Sequence, residues 1–192
     1  MFSSPDESVI HRMVQILEHR GPDGNGVWLD QSVGLGHARL SIIDLIGSKQ
    51  PILGNSGTVL IANGEIYNHL DLRSSLNYSW KTSGDSEVIL ALHDKYREKI
   101  ARPGIVSHID WIKQLNGMYS FALWDSGIKE LILARDPMGI KPLVRTIIDG
   151  NLMFASEMKA FHAHELYQPI LDETALALRL SWEYTLDSST LI

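Results

Sequence analysis

The stretch VLIANGEIYNH, Val59 to His69, decides how the rest of the chain is read. Val59, Leu60, Ile61 and Ala62 form the short apolar run of a buried strand. Asn63-Gly64 then has the composition of a hairpin turn. A second alternating strand should follow such a turn. EIYNHLDLRSSL follows instead, with Ile66, Leu70 and Leu72 nearer to helical spacing. The pattern predicts a strand that runs into Asn63-Gly64-Glu65 and then into a helix. The Asn-Gly pair reads either as a turn or as an oxyanion hole. An Asn carboxamide and a Gly backbone N–H can converge on one developing negative oxygen. Glu65 beside them could receive an ammonium group.

Working outward, the same period rules give an α+β chain. Ser4-Pro5-Asp6-Glu7 has capping-box spacing, with Ser4 as the cap and Pro5 at the first helical position. Val9, Ile10, Met13, Val14 and Leu17 make one apolar helical face, which stops at HRGPDGNG. GVWLD and VGLGHARLSIID read as strands, and QPILGNSG as a loop. SGDSEVILALHDKYREK is a second helix, capped by Ser83 or Asp85, with Val88, Ile89, Leu92 and Tyr96 on its buried side. IARPGIVSH breaks it and IDWIKQL resumes a helical pattern. MYSFALWD, KELILARD, PLVRTII and NLMFAS are short strands, with turns at Asp125-Ser126-Gly127 and Asp149-Gly150. SEMKAFHAH and ETALALRLSWEY close the chain as helices. Helices flanking two groups of strands predict one layered α+β domain.

Composition narrows the function. The 192 residues carry a formal net charge of -6, which argues against nucleic acid or an anionic membrane surface as partner. No apolar run approaches the roughly 20 residues of a membrane helix. Asp6, Glu7 and Arg12 inside the first periodic segment argue against a signal peptide, so the cytoplasm is the default location. The chain has no cysteine, which removes disulfides, thiolate metal sites and a cysteine nucleophile from it. His162 and His164 lack carboxylates at ligand spacing, so no metal site is expected there. GLGH lacks the third glycine of a dinucleotide loop, and no helix follows it.

Asp85 at a helix start reads first as a cap. Arg39, inside GHARLSIID, reads either as a solvated or salt-bridged strand residue or as a bidentate carboxylate clamp. Taken together, Arg39, Glu65 and Asp85 offer a carboxylate clamp and two acidic groups. That is the complement of an α-amino acid zwitterion.

HRGPDGNG, GHARLSIID, ANGEIYNH, SGDSEVI, LNGMYSFALWD, RDPMGIKPL and ASEMKAF stand in this order along the chain. The series resembles the class-II glutamine amidotransferase domain of asparagine synthetases, over almost the whole chain. The resemblance implies an N-terminal-nucleophile fold, an αββα four-layer sandwich, and hydrolysis of L-glutamine to glutamate and ammonia. It implies Arg39 on the substrate α-carboxylate, with Leu40, Ser41, Ile42 and Ile43 lining the pocket. It implies Asn63 and Gly64 at the oxyanion, Glu65 in the binding pocket and Asp85 on the α-amino group. No cofactor is implied for this domain. ATP, Mg2+ and aspartate belong to a C-terminal synthetase domain, which is the implied partner, and a homo-oligomer is left open.

One departure bears on chemistry. The family begins Cys-Gly-Ile-x-Gly-x-Phe, the cysteine thiol attacking the amide and its own α-amino group, with a pKa of about 8, serving as base. Here Met1-Phe2 match the end of that strand, so the nucleophile and first strand are missing and the chain is expected to be inactive. Either residues 1–192 are a domain truncated at its N-terminus and ending before the synthetase domain, or the domain is naturally cysteine-less and non-catalytic, as in β-lactam synthetase-like proteins. KYREKIARPGIVSHIDW is longer than the family's usual link, an insertion around residues 101–108 to which no role is assigned.

Overall fold

The structure, a computed structural model, describes residues 4–40, 47, 49–100, 107–184 and 190–192. Met1, Phe2, Ser3, the pocket residues Ser41, Ile42 and Ile43, and most of the insertion lie outside the described residues.

The first helix, α1 (Glu7–Ile16), starts one residue after its cap. Asp6, not Ser4, is that cap: its carboxylate accepts the Ser8 N–H at 2.8 Å and the Val9 N–H at 3.4 Å. Asp6 has the extended backbone of an N-cap, from which a short carboxylate reaches the second and third helical N–H groups. Pro5 therefore precedes the helix. A 3₁₀ turn (Glu18–Arg20) leads into the hairpin β1 (Gly24–Leu29) and β2 (Gly34–Arg39). Next come β3 (Ile52–Leu53), β4 (Thr58–Ile66), α2 (His69–Ser75), α3 (Glu87–Ile100) and α4 (His108–Ile112). The chain continues with β5 (Gly117–Asp125), β6 (Glu130–Arg135), β7 (Val144–Ile148) and β8 (Asn151–Ala155). SEMKAFHAH winds as a 3₁₀ helix (Met158–Ala163) rather than an α-helix, and α5 (Glu173–Trp182) follows.

The strands form an antiparallel sheet in the order β3-β4-β5-β6 and two hairpins, β1-β2 and β7-β8. Leu60, Ala62 and Ile66 of β4, with Phe121 and Leu123 of β5, pack on Leu72, Val88, Ile89, Leu92 and Trp111 of the helices α2 to α4. Val59, Ile61 and Trp124 on the other face of the sheet meet Leu35, Trp28 and Phe154 of the hairpins. Beyond the hairpins, Met13 and Leu17 of α1 pack with Ala160 and Phe161 of the 3₁₀ helix and Ala155 of β8. The layers are thus helix, sheet, hairpin pair and helix, the expected αββα order.

Burial explains why these segments sit where they do. Leu60, Val88, Ile89, Leu90, Leu92, Trp111 and Leu123 are fully buried, each side chain stabilising the fold by roughly 1.5–3 kcal/mol. The start of α3 is buried all round, Leu90 and Ala91 included, so it is a core helix there rather than an amphipathic one. Among the described residues no helix is long and apolar enough to cross a membrane.

Candidate functional site

The strand β4 does not end at Asn63-Gly64. It runs on through Glu65 to Ile66, with Asn63 opposite Ser120, Gly64 opposite Tyr119 and Glu65 opposite Met118. Helix α2 starts two residues later, at His69. Gly64 is required here: its φ is +152°, and a Cβ would run into the Met118 carbonyl oxygen.

Two alternations along β4 place the chemistry. Side chains alternate between faces, so Asn63 and Glu65 share the hairpin-facing side with Val59 and Ile61. Backbone N–H and C=O groups alternate between edges. The Gly54 N–H bonds to the Thr58 oxygen at 2.8 Å, so Thr58, Leu60, Ala62, Gly64 and Ile66 direct their main-chain groups toward the β3 side. Beyond β3 this edge has no neighbouring strand among the described residues. Side chains serve it instead. Ala62 is held by the carboxamide of Gln50, and the Ile66 N–H donates to Oδ2 of Asp85 at 2.7 Å. Gly64 stands between them with its N–H directed off the sheet.

A cavity of about 870 Å³ opens beside this edge, between β2 and β8 and between the sheet and α1. Arg39, Leu40, Asn63, Gly64, Glu65 and Asp85 all line it. The structure thus brings together every predicted site residue that it describes. Asn63 and Glu65 make no side-chain hydrogen bond to any described residue. Asp85 is buried, and its carboxylate takes the Ile66 N–H rather than an N–H of α3, so it is not the cap of that helix. Among the described residues its Oδ1 is met by the Ser86 hydroxyl, at 3.4 Å. One carboxylate oxygen therefore braces the strand while the other faces outward.

Four supporting residues were not assigned from sequence. The Nε2 of His37 donates to the Ala62 carbonyl at 3.1 Å. Burial pushes the His37 ring down to a pKa of about 4, a shift that the nearby Arg39 cation reinforces. Gln50 holds Ala62 as described. Glu87 is fully buried and accepts the Lys81 N–H (2.8 Å), the Thr82 N–H (2.8 Å) and the Thr82 hydroxyl (2.9 Å), fixing the loop ahead of α3. Asp136 accepts the Ile140 N–H at 2.9 Å and the Lys141 N–H at 3.0 Å, shaping the loop after β6. Burial works to raise the Asp136 pKa, but the N–H groups of Lys141, Ile140 and Tyr119 outweigh it and hold the carboxyl below its usual range. Glu87 stands in the SGDSEVI block and Asp136 in the RDPMGIKPL block, whose polar residues were the available signal.

The αββα sandwich thus holds a cavity whose lining includes Arg39, Asn63, Gly64, Glu65 and Asp85. The family model described as "glutamine amidotransferase domain" matches residues 1–192, and the chain belongs to that family. It is 38% identical over 193 residues to asparagine synthetase (glutamine-hydrolyzing) 1 of Bacillus subtilis, covering 98% of this chain and 29% of that protein. It is 40% identical over 147 residues to asparagine synthetase (glutamine-hydrolyzing) of Zea mays, covering 75% of this chain and 23% of that protein. The chain therefore spans less than a third of the length of these relatives. Among solved structures, the allosteric regulatory enzyme of purine biosynthesis superposes with a TM-score of 0.67 at 22% identity, over 84% of this chain and 42% of that one. Glutamine phosphoribosylpyrophosphate amidotransferase from B. subtilis, complexed with ADP and GMP, gives 0.62 at 24% identity over the same shares. These two likenesses support the fold, an α+β sandwich of the N-terminal-nucleophile type.

Proposed function

We propose that the cavity binds L-glutamine and that the domain is the ammonia-supplying part of an asparagine synthetase-like amidotransferase. One observation carries this reading: Arg39, Asn63, Gly64, Glu65 and Asp85 line a cavity beside a strand edge that has no neighbouring strand beyond β3 among the described residues. In this reading Arg39 grips the α-carboxylate through its planar fork. Asp85 Oδ1 and Glu65 face the ammonium end, and Leu40 walls the pocket. When a nucleophile attacks the side-chain amide carbon, the carbonyl oxygen turns negative. The Asn63 carboxamide and the Gly64 N–H meet that charge with donors already in place. Collapse of the adduct then expels ammonia.

The nucleophile is the part this chain does not supply. It holds no cysteine, so the 192 residues as given are read as binding glutamine without cleaving it. ATP and Mg2+ chemistry is assigned to a synthetase domain of a longer protein, and the cytoplasm is the location that goes with this reading. Among the described residues no group of three His, Cys, Asp or Glu side chains could hold a metal ion.

Calorimetric titration with L-glutamine, beside an ammonia-release assay, tests the proposal. Binding of L-glutamine in preference to D-glutamine, without ammonia release, is expected. Turnover well above buffer that Asn63→Ala abolishes would overturn the assignment of the nucleophile. A naturally cysteine-less scaffold shares the lack of turnover but has no need of a working pocket. Failure of the folded chain to bind L-glutamine at millimolar concentration favours that reading.

A further inference from the structure

We infer that Gln50 and His37 are positioning residues that fix the Asn63-Gly64 segment for the oxyanion, an inference that rests on the glutamine reading above. The reasoning starts where β3 ends. Ile52 is the partner of Leu60, so the next position on that edge, Ala62, would face the main chain at residue 50. The side chain of Gln50 does the work instead. Ala62 donates its N–H to Gln50 Oε1 at 2.6 Å, and Gln50 Nε2 donates to the Ala62 carbonyl at 2.9 Å. A carboxamide carries the same donor and acceptor pair as a peptide unit, so it can stand in for a strand.

Room for this is built into β1. A Cβ on Gly26 would strike the Gln50 main-chain oxygen, so the glycine lets residue 50 come close. The Ala62 oxygen has a second lone pair, and His37 Nε2 fills it at 3.1 Å. A carbonyl oxygen only accepts, so that bond places the ring proton on Nε2. The lowered pKa keeps the ring neutral at physiological pH. Ala62 therefore has every main-chain valence occupied, and Ile66, four residues on, is held by Asp85. Gly64 lies midway on the same edge. A glycine has the widest conformational freedom of any residue, and an oxyanion donor contributes only if it is already aimed. Anchors two residues away on each side supply that aim.

Residue-resolved amide exchange and L-glutamine titration on Gln50→Met and Gln50→Glu test the inference. Methionine keeps the length of the side chain and removes both bonds. Glutamate keeps an acceptor for the Ala62 N–H and loses the donor. With two hydrogen bonds of modest net worth removed, Gln50→Met is expected to speed exchange at Ala62 at least about tenfold and to shift the amide resonance of Gly64. Exchange at Leu123, in the core of β5, should stay at its wild-type rate, and glutamine affinity should fall about tenfold. Gln50→Glu should lie between Gln50→Met and wild type, and it carries the test if Gln50→Met does not fold. Unchanged exchange at Ala62, or an unmoved Gly64 amide resonance, overturns the inference, as does equal acceleration at Leu123, which marks a merely structural role. If wild type fails to bind glutamine, the glutamine reading falls, while exchange at Ala62 and the Gly64 amide resonance still decide whether Gln50 braces Gly64.

Discussion

Replacing Asp85 with asparagine separates its two oxygens by function. Oδ2 holds the Ile66 N–H at 2.7 Å, and the carbonyl oxygen of an asparagine can take the same bond. A neutral acceptor is weaker than a charged one by roughly half, so Asp85→Asn should cost about 1 kcal/mol of stability or less. The other oxygen is replaced by an NH2 group. In the wild type it faces the cavity, met among the described residues by the Ser86 hydroxyl at 3.4 Å. If it receives the glutamine ammonium, a charge-assisted hydrogen bond of roughly 1.5–3 kcal/mol is lost, a ten- to hundredfold weakening. Asp85→Ala differs, because it leaves the Ile66 N–H buried without an acceptor and should cost about 1–3 kcal/mol of stability besides. Calorimetric titration with L-glutamine, with thermal melts of all three proteins, reads both effects. Equal glutamine affinity in wild type and Asp85→Asn would refute the assignment and leave Asp85 a strand brace.

Glu87→Ala should be costly although it touches no ligand. It strands two N–H groups and a hydroxyl, so a loss of about 3 kcal/mol or more in the unfolding free energy from urea titration is expected, with Glu87→Gln milder. The chain should also be sensitive to acid through His37. Its folded pKa of about 4 lies below the ordinary 6.5, so the unfolded chain binds the extra proton first as pH falls. That stability is whole above about pH 6.5 and is lost down to about pH 4, at most about 3 kcal/mol over the interval. His37→Gln should flatten the dependence of the urea midpoint on pH, and an unaltered slope contradicts the assignment. Among the described residues β2 pairs only with β1 and β8 only with β7, so each hairpin presents an open edge. Sedimentation should show concentration-dependent self-association, and a monomer at all concentrations counts against it.

The fold was legible where a period was long and unbroken. The apolar face of α1, the helix after SGDSE and the strands either side of Asp149-Gly150 all stand where their patterns put them. The cap of α1 was misplaced because Ser4 and Asp6 both suit an N-cap, and only the backbone at residue 6 decides between them. The candidate site residues were legible as residue types: an arginine in a strand, an Asn-Gly-Glu after an apolar run, an aspartate before a helix. Gln50 and His37 were not, because a glutamine in a loop and a histidine in a strand have many bland uses. Their role exists only through contacts 12 and 25 residues away in sequence. Long-range pairing of that kind leaves no local period to read.

The question raised by Asn63-Gly64 has its answer in strand geometry rather than in turn chemistry. A hairpin would have spent both residues on reversing the chain. Continuing the strand instead uses its period of two twice over. Odd positions send side chains between the layers, which puts the Asn63 carboxamide and Glu65 at the cavity. Even positions send main-chain groups to the edge that β3 leaves uncovered, which puts the Gly64 N–H there as well. As the proposed oxyanion hole, Asn63 and Gly64 would supply one side-chain donor and one main-chain donor directed to a common point. In a regular strand adjacent residues direct their side chains and their main-chain groups in different directions. The φ of +152° at Gly64 departs from regular strand geometry and confines position 64 to glycine. The strand thus stays paired to β5 through Ile66 while its other edge, braced at Ala62 and Ile66, is left open among the described residues at the residue that would do the chemistry.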